Sequence, residues 1–188
     1  MKLHLETTDY LFLTTLPTTE HAAIKASHLC FDRIMEICGL AERSADFKYT
    51  ETMKPYLESP LHFSISHCAS TLIIGLSLLT IGVDCEYRVP RQTAAIQQRY
   101  FNDAERLQIS QAPCPLREFY QIWCTHEATS KYSSIPILEY YNHRIPCPGT
   151  LTDVFAVENL QCAVVHHHPL VIIPMPDSPV QLQEPLKK

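Results

Sequence analysis

The sequence predicts a globular fold that mixes strands and helices, on three observations. Of its 188 residues, 46% are hydrophobic and 19% charged, the balance of a chain with a packed core. A strand–helix–strand order recurs in both halves without a visible sequence repeat. Two apolar periods are present: alternation by two at residues 62–67, and spacing by three and four at residues 116–132.

Taken in order, residues 2–13 read as a first strand, and Pro17, Thr18, Thr19 and Glu20 as a turn into a helix cap. Ile24, Leu29, Phe31, Ile34, Met35 and Cys38 recur at helical spacing over residues 21–39, and Gly39 suits a helix stop. Residues 47–61 are irregular and carry Lys54-Pro55-Tyr56 and Pro60. The alternating segment 62–67 is a strand ending in Ser66 and His67. Residues 71–79 and 80–86 are two buried strands. Residues 92–107 look helical, with Asn102 to Glu105 able to recap a second short helix. Pro113 and Pro115 break the pattern before residues 116–132, the strongest helix. Strands are expected near 154–158 and 161–166. From Pro169 the composition turns Pro-rich, so residues 169–188 are expected to be an extended, poorly ordered tail.

The chain is organised around Ile81-Gly82-Val83-Asp84-Cys85-Glu86-Tyr87. In a strand, residues i and i+2 share a face, so Asp84 and Glu86 project side by side and Cys85 points into the core. Two neighbouring carboxylates repel unless a cation, a proton or a set of donors lies between them. A divalent metal would serve; the plainer alternative is a strand end with two ordinary surface acids. Glu127 and Lys131, four apart, share a helix face. A surface ion pair is the plain reading there too, but Trp123 on the same helix marks a buried side.

A net charge of −5 argues against a general nucleic-acid or membrane-surface binder. Arg88, Arg91, Arg99, Arg106 and Arg117 nevertheless cluster after the acidic strand, as a receiver of an anionic partner or as solvated helix faces. The eight cysteines show no C-x-x-C spacing, no run is long enough to span a membrane, and the first residues do not read as a signal peptide. A reduced, cytoplasmic, monomeric protein is expected. Consecutive strand residues alternate faces, so His166, His167 and His168 cannot all converge on one metal.

Three segments together resemble a known family. Phe63-Ser64-Ile65-Ser66-His67, Ile81-Gly82-Val83-Asp84-Cys85-Glu86 and Trp123-Cys124-Thr125-His126-Glu127-Ala128-Thr129-Ser130-Lys131 look like the three motifs of 4′-phosphopantetheinyl transferases of the Sfp type. Asp84 follows His67 by 17 residues and Glu127 follows Glu86 by 41, as in the family. Lys54-Pro55 and Arg99-Tyr100-Phe101 with Glu105 are similar to two further family segments. The resemblance covers about residues 47–132.

The resemblance implies an α+β fold of two similar lobes related by a pseudo-twofold, each a small antiparallel sheet with a packed helix, and an active site in the cleft between them. Residues 1–86 would form the first lobe, closed by the Asp84 strand, and residues 87–168 the second. It further implies transfer of 4′-phosphopantetheine from coenzyme A to a serine of an acyl or peptidyl carrier protein, releasing adenosine 3′,5′-bisphosphate (holo-acyl-carrier-protein synthase activity). Asp84, Glu86 and Glu127 would hold Mg²⁺. Glu127 would take the proton with Glu105 as helper, and Lys131 would contact the transferred phosphate. Lys54, Ser66 and His67 would bind coenzyme A. The contrasting readings are a non-catalytic carrier-protein or coenzyme A-binding relative, and a metal-dependent pyrophosphate hydrolase. The sequence departs from the pattern where the family has lysine before the third-motif glutamate: His126 stands there, and weaker phosphate binding is expected. Met53 and Ser64 replace a glycine and an asparagine, and Tyr132-Ser133-Ser134-Ile135-Pro136 replaces a Gly-rich turn.

Overall fold

The structure, a computed structural model, describes residues 1–15 and 20–175, and for residues 20–24 the backbone alone. The expected turn at 17–19, the Ile24 side chain and the tail beyond residue 175 therefore lie outside the described residues.

The fold is α+β. Strands β1 (Asp9–Thr15), β4 (His62–Cys68), β5 (Thr71–Ser77) and β9 (Leu170–Pro174) form one sheet in the order β4-β5-β1-β9. Strands β6 (Gly82–Tyr87), β7 (Leu151–Val157) and β8 (Leu160–His166) form a second, antiparallel sheet in the order β6-β8-β7. Between β1 and β4 lie α1 (Glu20–Cys38) and a small hairpin of β2 (Lys48–Tyr49) and β3 (Pro55–Tyr56). Between β6 and β7 come α2 (Ala94–Tyr100), α3 (Asp103–Gln111), α4 (Pro115–Ser133) and α5 (Ile137–His143).

The layers follow from alternation. Phe12, Leu72, Ile74 and Leu76 meet Phe31, Ile34 and Met35 of α1 on one face of the first sheet. Leu11, Leu13 and Ile73 on its other face meet Val83, Cys85, Cys162 and Val164 of the second. The far face of the second sheet packs on α4 through Ala163, Val165, Cys124 and Ala128. Gly82 makes that packing possible. A Cβ there would lie 2.1 Å from the Ala128 carbonyl oxygen and 2.6 Å from the Tyr132 nitrogen, so α4 sits directly on the β6 backbone.

Several expectations are corrected. The first strand begins only at Asp9. The 92–107 helix is two, because the Asn102 side chain accepts from Glu105 N while Glu105 accepts from Asn102 N, closing a capping box that starts α3. Helix α5 and the β2–β3 hairpin, both short, have no counterpart among the expected elements. The Asp84 strand, expected to close the first lobe, pairs with β8 in the second sheet. Its other edge is met by side chains, since Ser64 Oγ, Ser66 Oγ and Cys68 Sγ accept from the backbone N–H groups of Val83, Cys85 and Tyr87. Alternate positions of β4 thus stand in for a backbone ladder and join the two sheets. Finally, the start of the Pro-rich segment is an ordered strand. Leu170 to Ile173 carry three β-branched residues and pair in parallel with β1, with Pro174 at the strand end on the sheet edge, where a missing N–H is tolerated.

The β8–β9 turn is fixed by a buried carboxylate. Asp9 Oδ2 accepts from His167 N and His168 N at 3.0 and 2.8 Å and lies 3.7 Å from His166 Nδ1, while His166 Nε2 faces Asp153 at 3.1 Å. As alternation requires, His167 turns instead to the Tyr132 hydroxyl. Burial opposes ionisation of Asp9, but His166, Ser77 and the two N–H groups overcome it and hold the carboxyl below its usual range. Burial likewise opposes charge on His166, yet Asp9 raises its pKa. Asp9 therefore stabilises the fold above its unfolded pKa near 4, and His166 below its unfolded pKa near 6.5. Both contributions are complete only between about pH 4 and 6.5: the first is lost as pH falls further, the second as pH rises through the raised folded value. Melting temperatures of wild type and Asp9→Asn across pH are expected to differ most in that window, by the equivalent of roughly 3 kcal/mol. A pH-independent difference would contradict the assignment.

Candidate active site

The site forms where β4, β6 and α4 meet. Along β6, Val83 and Cys85 turn to the core between the sheets, so Gly82, Asp84 and Glu86 face the other way, toward α4. Lys131 Nζ donates to Asp84 Oδ1 at 2.8 Å and to Ser66 Oγ at 2.9 Å, and Ser66 Oγ donates to the same Asp84 oxygen at 2.9 Å. The Asp84 side chain is 7% exposed and that of Lys131 30%. Burial works against the Lys131 ammonium, but Asp84 outweighs it and raises the pKa.

The other carboxylates are strained by their company. Burial and then the Asp84 charge push Glu86 above the ordinary range, with partial relief from the Cys68 thiol, Arg91 and Lys131. Burial, then Asp84, raise Glu127 to about 7, against the opposing pull of Lys131. Asp84 Oδ2 is buried with no hydrogen-bond partner among the described residues. Among the described residues no group of three or more His, Cys, Asp or Glu side chains is gathered closely enough to hold a metal ion, and the Lys131 ammonium lies against Asp84. Carboxylate oxygens are nevertheless the donor type that a hard dication takes. Burial and the neighbouring Asp84 charge raise Glu86 and Glu127, one Asp84 oxygen lacks a partner among the described residues, and the site opens at Glu86, Glu127 and Lys131, which are only partly buried.

The remaining candidates separate into two groups. Ser66 is engaged with Asp84 and Lys131, whereas His67 is exposed on the face of β4 that carries Phe63 and Ile65. Lys54 donates to the Lys131 carbonyl and to Ser134 Oγ, so it caps the C-terminus of α4. Burial and then Lys131 lower its pKa to about 8. Glu105 and His126 lie apart from Asp84. Neighbours on a helix point about 100° apart, and His126 turns away from the Glu127 side. Its Nε2 is 2.8 Å from Glu105 Oε1 and its Nδ1 3.3 Å from the Tyr140 hydroxyl. His126, the residue for which weaker phosphate binding is expected, is thus buried against Glu105 and Tyr140. Arg144 belongs to the same group, contacting Glu105 with both terminal nitrogens. Nothing in the sequence pattern singles it out, since it ends a seven-residue helix beyond the last motif.

Comparison with known proteins points the same way as the motifs. The family model of the 4′-phosphopantetheinyl transferase superfamily matches residues 80–157, a span that holds β6, the second motif, and α4, the third. The resemblance drawn from the motifs is thereby borne out. Among curated proteins, the 4′-phosphopantetheinyl transferase Gsp of Aneurinibacillus migulanus is 24% identical over 57% of this chain and 48% of its own length. A protein of Haemophilus influenzae, provisionally named a 4′-phosphopantetheinyl transferase, is 24% identical over 66% of this chain and 56% of its own. The chain thus spans about half the length of the curated relatives it matches. Among the described residues no helix is long and apolar enough to cross a membrane.

Proposed function

We propose that this chain transfers 4′-phosphopantetheine from coenzyme A to a serine of an acyl or peptidyl carrier protein, with Mg²⁺ as cofactor and adenosine 3′,5′-bisphosphate as the other product. The observation that carries this reading is the convergence of second and third motifs at one point, with Lys131, Asp84 and Ser66 in mutual contact and Glu86 and Glu127 beside them. Asp84, Glu86 and Glu127 would hold the metal, which when bound would neutralise the pyrophosphate.

The chain's own residues supply the rest. Lys131, a point charge a helical turn from Glu127, would meet the phosphoryl oxygens and stabilise charge on the departing nucleotide phosphate. Ser66 orients that ammonium through its hydroxyl. Glu127 would accept the proton of the attacking serine hydroxyl. Glu105 does not face that position, and its helper role would pass through the helix that carries Glu127. Lys54 would set the end of α4 and offer charge toward the nucleotide, and exposed His67 would contact an outlying phosphate. The two-lobe reading, with residues 1–86 and 87–168 as its parts, goes with this assignment because the site lies where β4 of the first part meets α4 of the second.

Incubating the protein with coenzyme A, Mg²⁺ and an apo carrier protein and weighing the carrier tests the reading. A gain of one phosphopantetheine is expected. Bound coenzyme A without a gain would indicate a non-catalytic relative, and coenzyme A cleavage without a carrier a hydrolase. The arginines after β6 suit docking of an acidic carrier. Arg99 is exposed, stacked over Tyr100, whereas Arg91 also acts on Glu86, so Arg99→Glu is the cleaner probe. It should raise the carrier KM roughly 3- to 10-fold and leave the coenzyme A KM unchanged; an unchanged carrier KM would remove Arg99 from the docking surface.

A further inference from the structure

We propose that Arg144 is a positioning residue for α4, carrying from α5 the positive charge that the family pattern places on α4 itself at position 126. This rests on the transferase reading above for its functional part, and on the geometry alone for its structural part.

The Glu105 side chain is only 15% exposed, so its charge requires partners. Oε1 lies 2.5 Å from Arg144 Nη1 and 2.8 Å from His126 Nε2. Oε2 lies 3.1 Å from Arg144 Nη2 and accepts from Asn102 N at 2.8 Å. The two-pronged guanidinium contact is the geometry arginine provides and an imidazole cannot. Arg144 is itself held in place. It caps α5 in the left-handed region at φ 46°, its N–H donates to Tyr140 O, its guanidinium lies 5.3 Å over the Tyr141 ring, and Nη2 donates to Tyr100 O. A non-glycine residue keeps such a backbone only where its surroundings compel it.

One side chain therefore ties the end of α2, the first turn of α3 and the end of α5 to His126 on α4. Glu127 is the next residue along, and Lys131 follows one turn later. Gly82 fixes how closely α4 approaches β6, and the Glu105–His126–Arg144 group grips α4 on another side. Arg144 Nη1 stands 3.1 Å from His126 Nε2, so a lysine ammonium at position 126 would meet a guanidinium already in place. In this chain, Lys at 126 and Arg at 144 are alternatives, not partners.

Four proteins test this: wild type, Arg144→Gln, His126→Lys, and the double variant. Arg144→Gln leaves a largely buried carboxylate short of charge and is expected to lower the melting temperature by about 10 °C. Its kcat for transfer should fall roughly 10- to 100-fold, with coenzyme A affinity retained within about threefold. His126→Lys alone should also lose stability and rate, through repulsion. The double variant should regain most of both. If Arg144→Gln does not fold, a folded, active double variant supports the proposal and an unfolded one overturns it. Unchanged behaviour of Arg144→Gln, or a double variant no better than its singles, would overturn the proposal. Recovery of melting temperature without rate would overturn the positioning role. Absence of transfer by the wild type would count against the transferase reading instead, and the melting-temperature cycle would still decide whether the two cations are alternatives.

Discussion

Replacing Gly82 with alanine is expected to lower phosphopantetheine transfer by at least about a hundredfold, although the substitution adds one methyl group and touches no charge. The added Cβ would stand 2.1 Å from Ala128 O and 2.6 Å from Tyr132 N. Both are backbone atoms of α4, so no side-chain rotation relieves the clash and the helix must move away from β6 by about 1 Å or more. Lys131 sits between those contacts in the chain, and a displacement of that size separates its ammonium from Asp84 and Ser66, now at 2.8 and 2.9 Å. Gly75→Ala supplies the contrast. Its Cβ would meet only side-chain carbons of Val83 and Ile81, at 2.8 and 2.9 Å, which can give way. That variant should lose about 1–3 kcal/mol of stability and keep most of its activity. Steady-state transfer rates and melting temperatures of the two variants check the distinction. Equal losses of activity would show that Gly82 matters only for folding.

Asp84→Asn is expected to reduce transfer by more than about a hundredfold while shifting the melting temperature much less. The substitution preserves shape but removes the charge that two neighbours depend on in opposite ways. Lys131 loses the carboxylate that raises its pKa. Glu127 loses its main repulsive neighbour, so its pKa should fall from about 7 toward the ordinary carboxylate range. For the protein without metal these changes oppose one another in stability, whereas for chemistry both remove something the site requires. Transfer rates, with Glu127 titration followed by carboxyl NMR, check the pair of outcomes. Activity retained in Asp84→Asn would remove this carboxylate from the site.

Much of the site is legible in the sequence because it is local. Period-two alternation places Asp84 and Glu86 on one face and Cys85 in the core, and a four-residue step places Glu127 beside Lys131. What the pattern does not show is contact across the sheets. Ser64, Ser66 and Cys68 read as one face of a strand, but their role as acceptors for β6 depends on how the sheets stack. Gly82 reads as part of a motif, and only the helix above it shows why a side chain is excluded. His126 takes its expected role from its position in the motif, while the helix turns it toward Glu105 and Arg144. Arg144 carries no local signal at all. The strand at residues 170–174 is obscured by the prolines around it, since composition averages over a run that pairing resolves.

On the proposed reading, the three carboxylates and Lys131 form a metal-dependent transfer centre. Its most direct test is the rate of mass gain of an apo carrier protein as Mg²⁺ is titrated from an excess of chelator into the protein with coenzyme A. The account predicts no transfer in chelator, a saturable rise with Mg²⁺, and a curve in Asp84→Asn that stays flat. Transfer that proceeds undiminished in chelator, or coenzyme A that binds while the carrier gains no mass at any Mg²⁺ concentration, would contradict it.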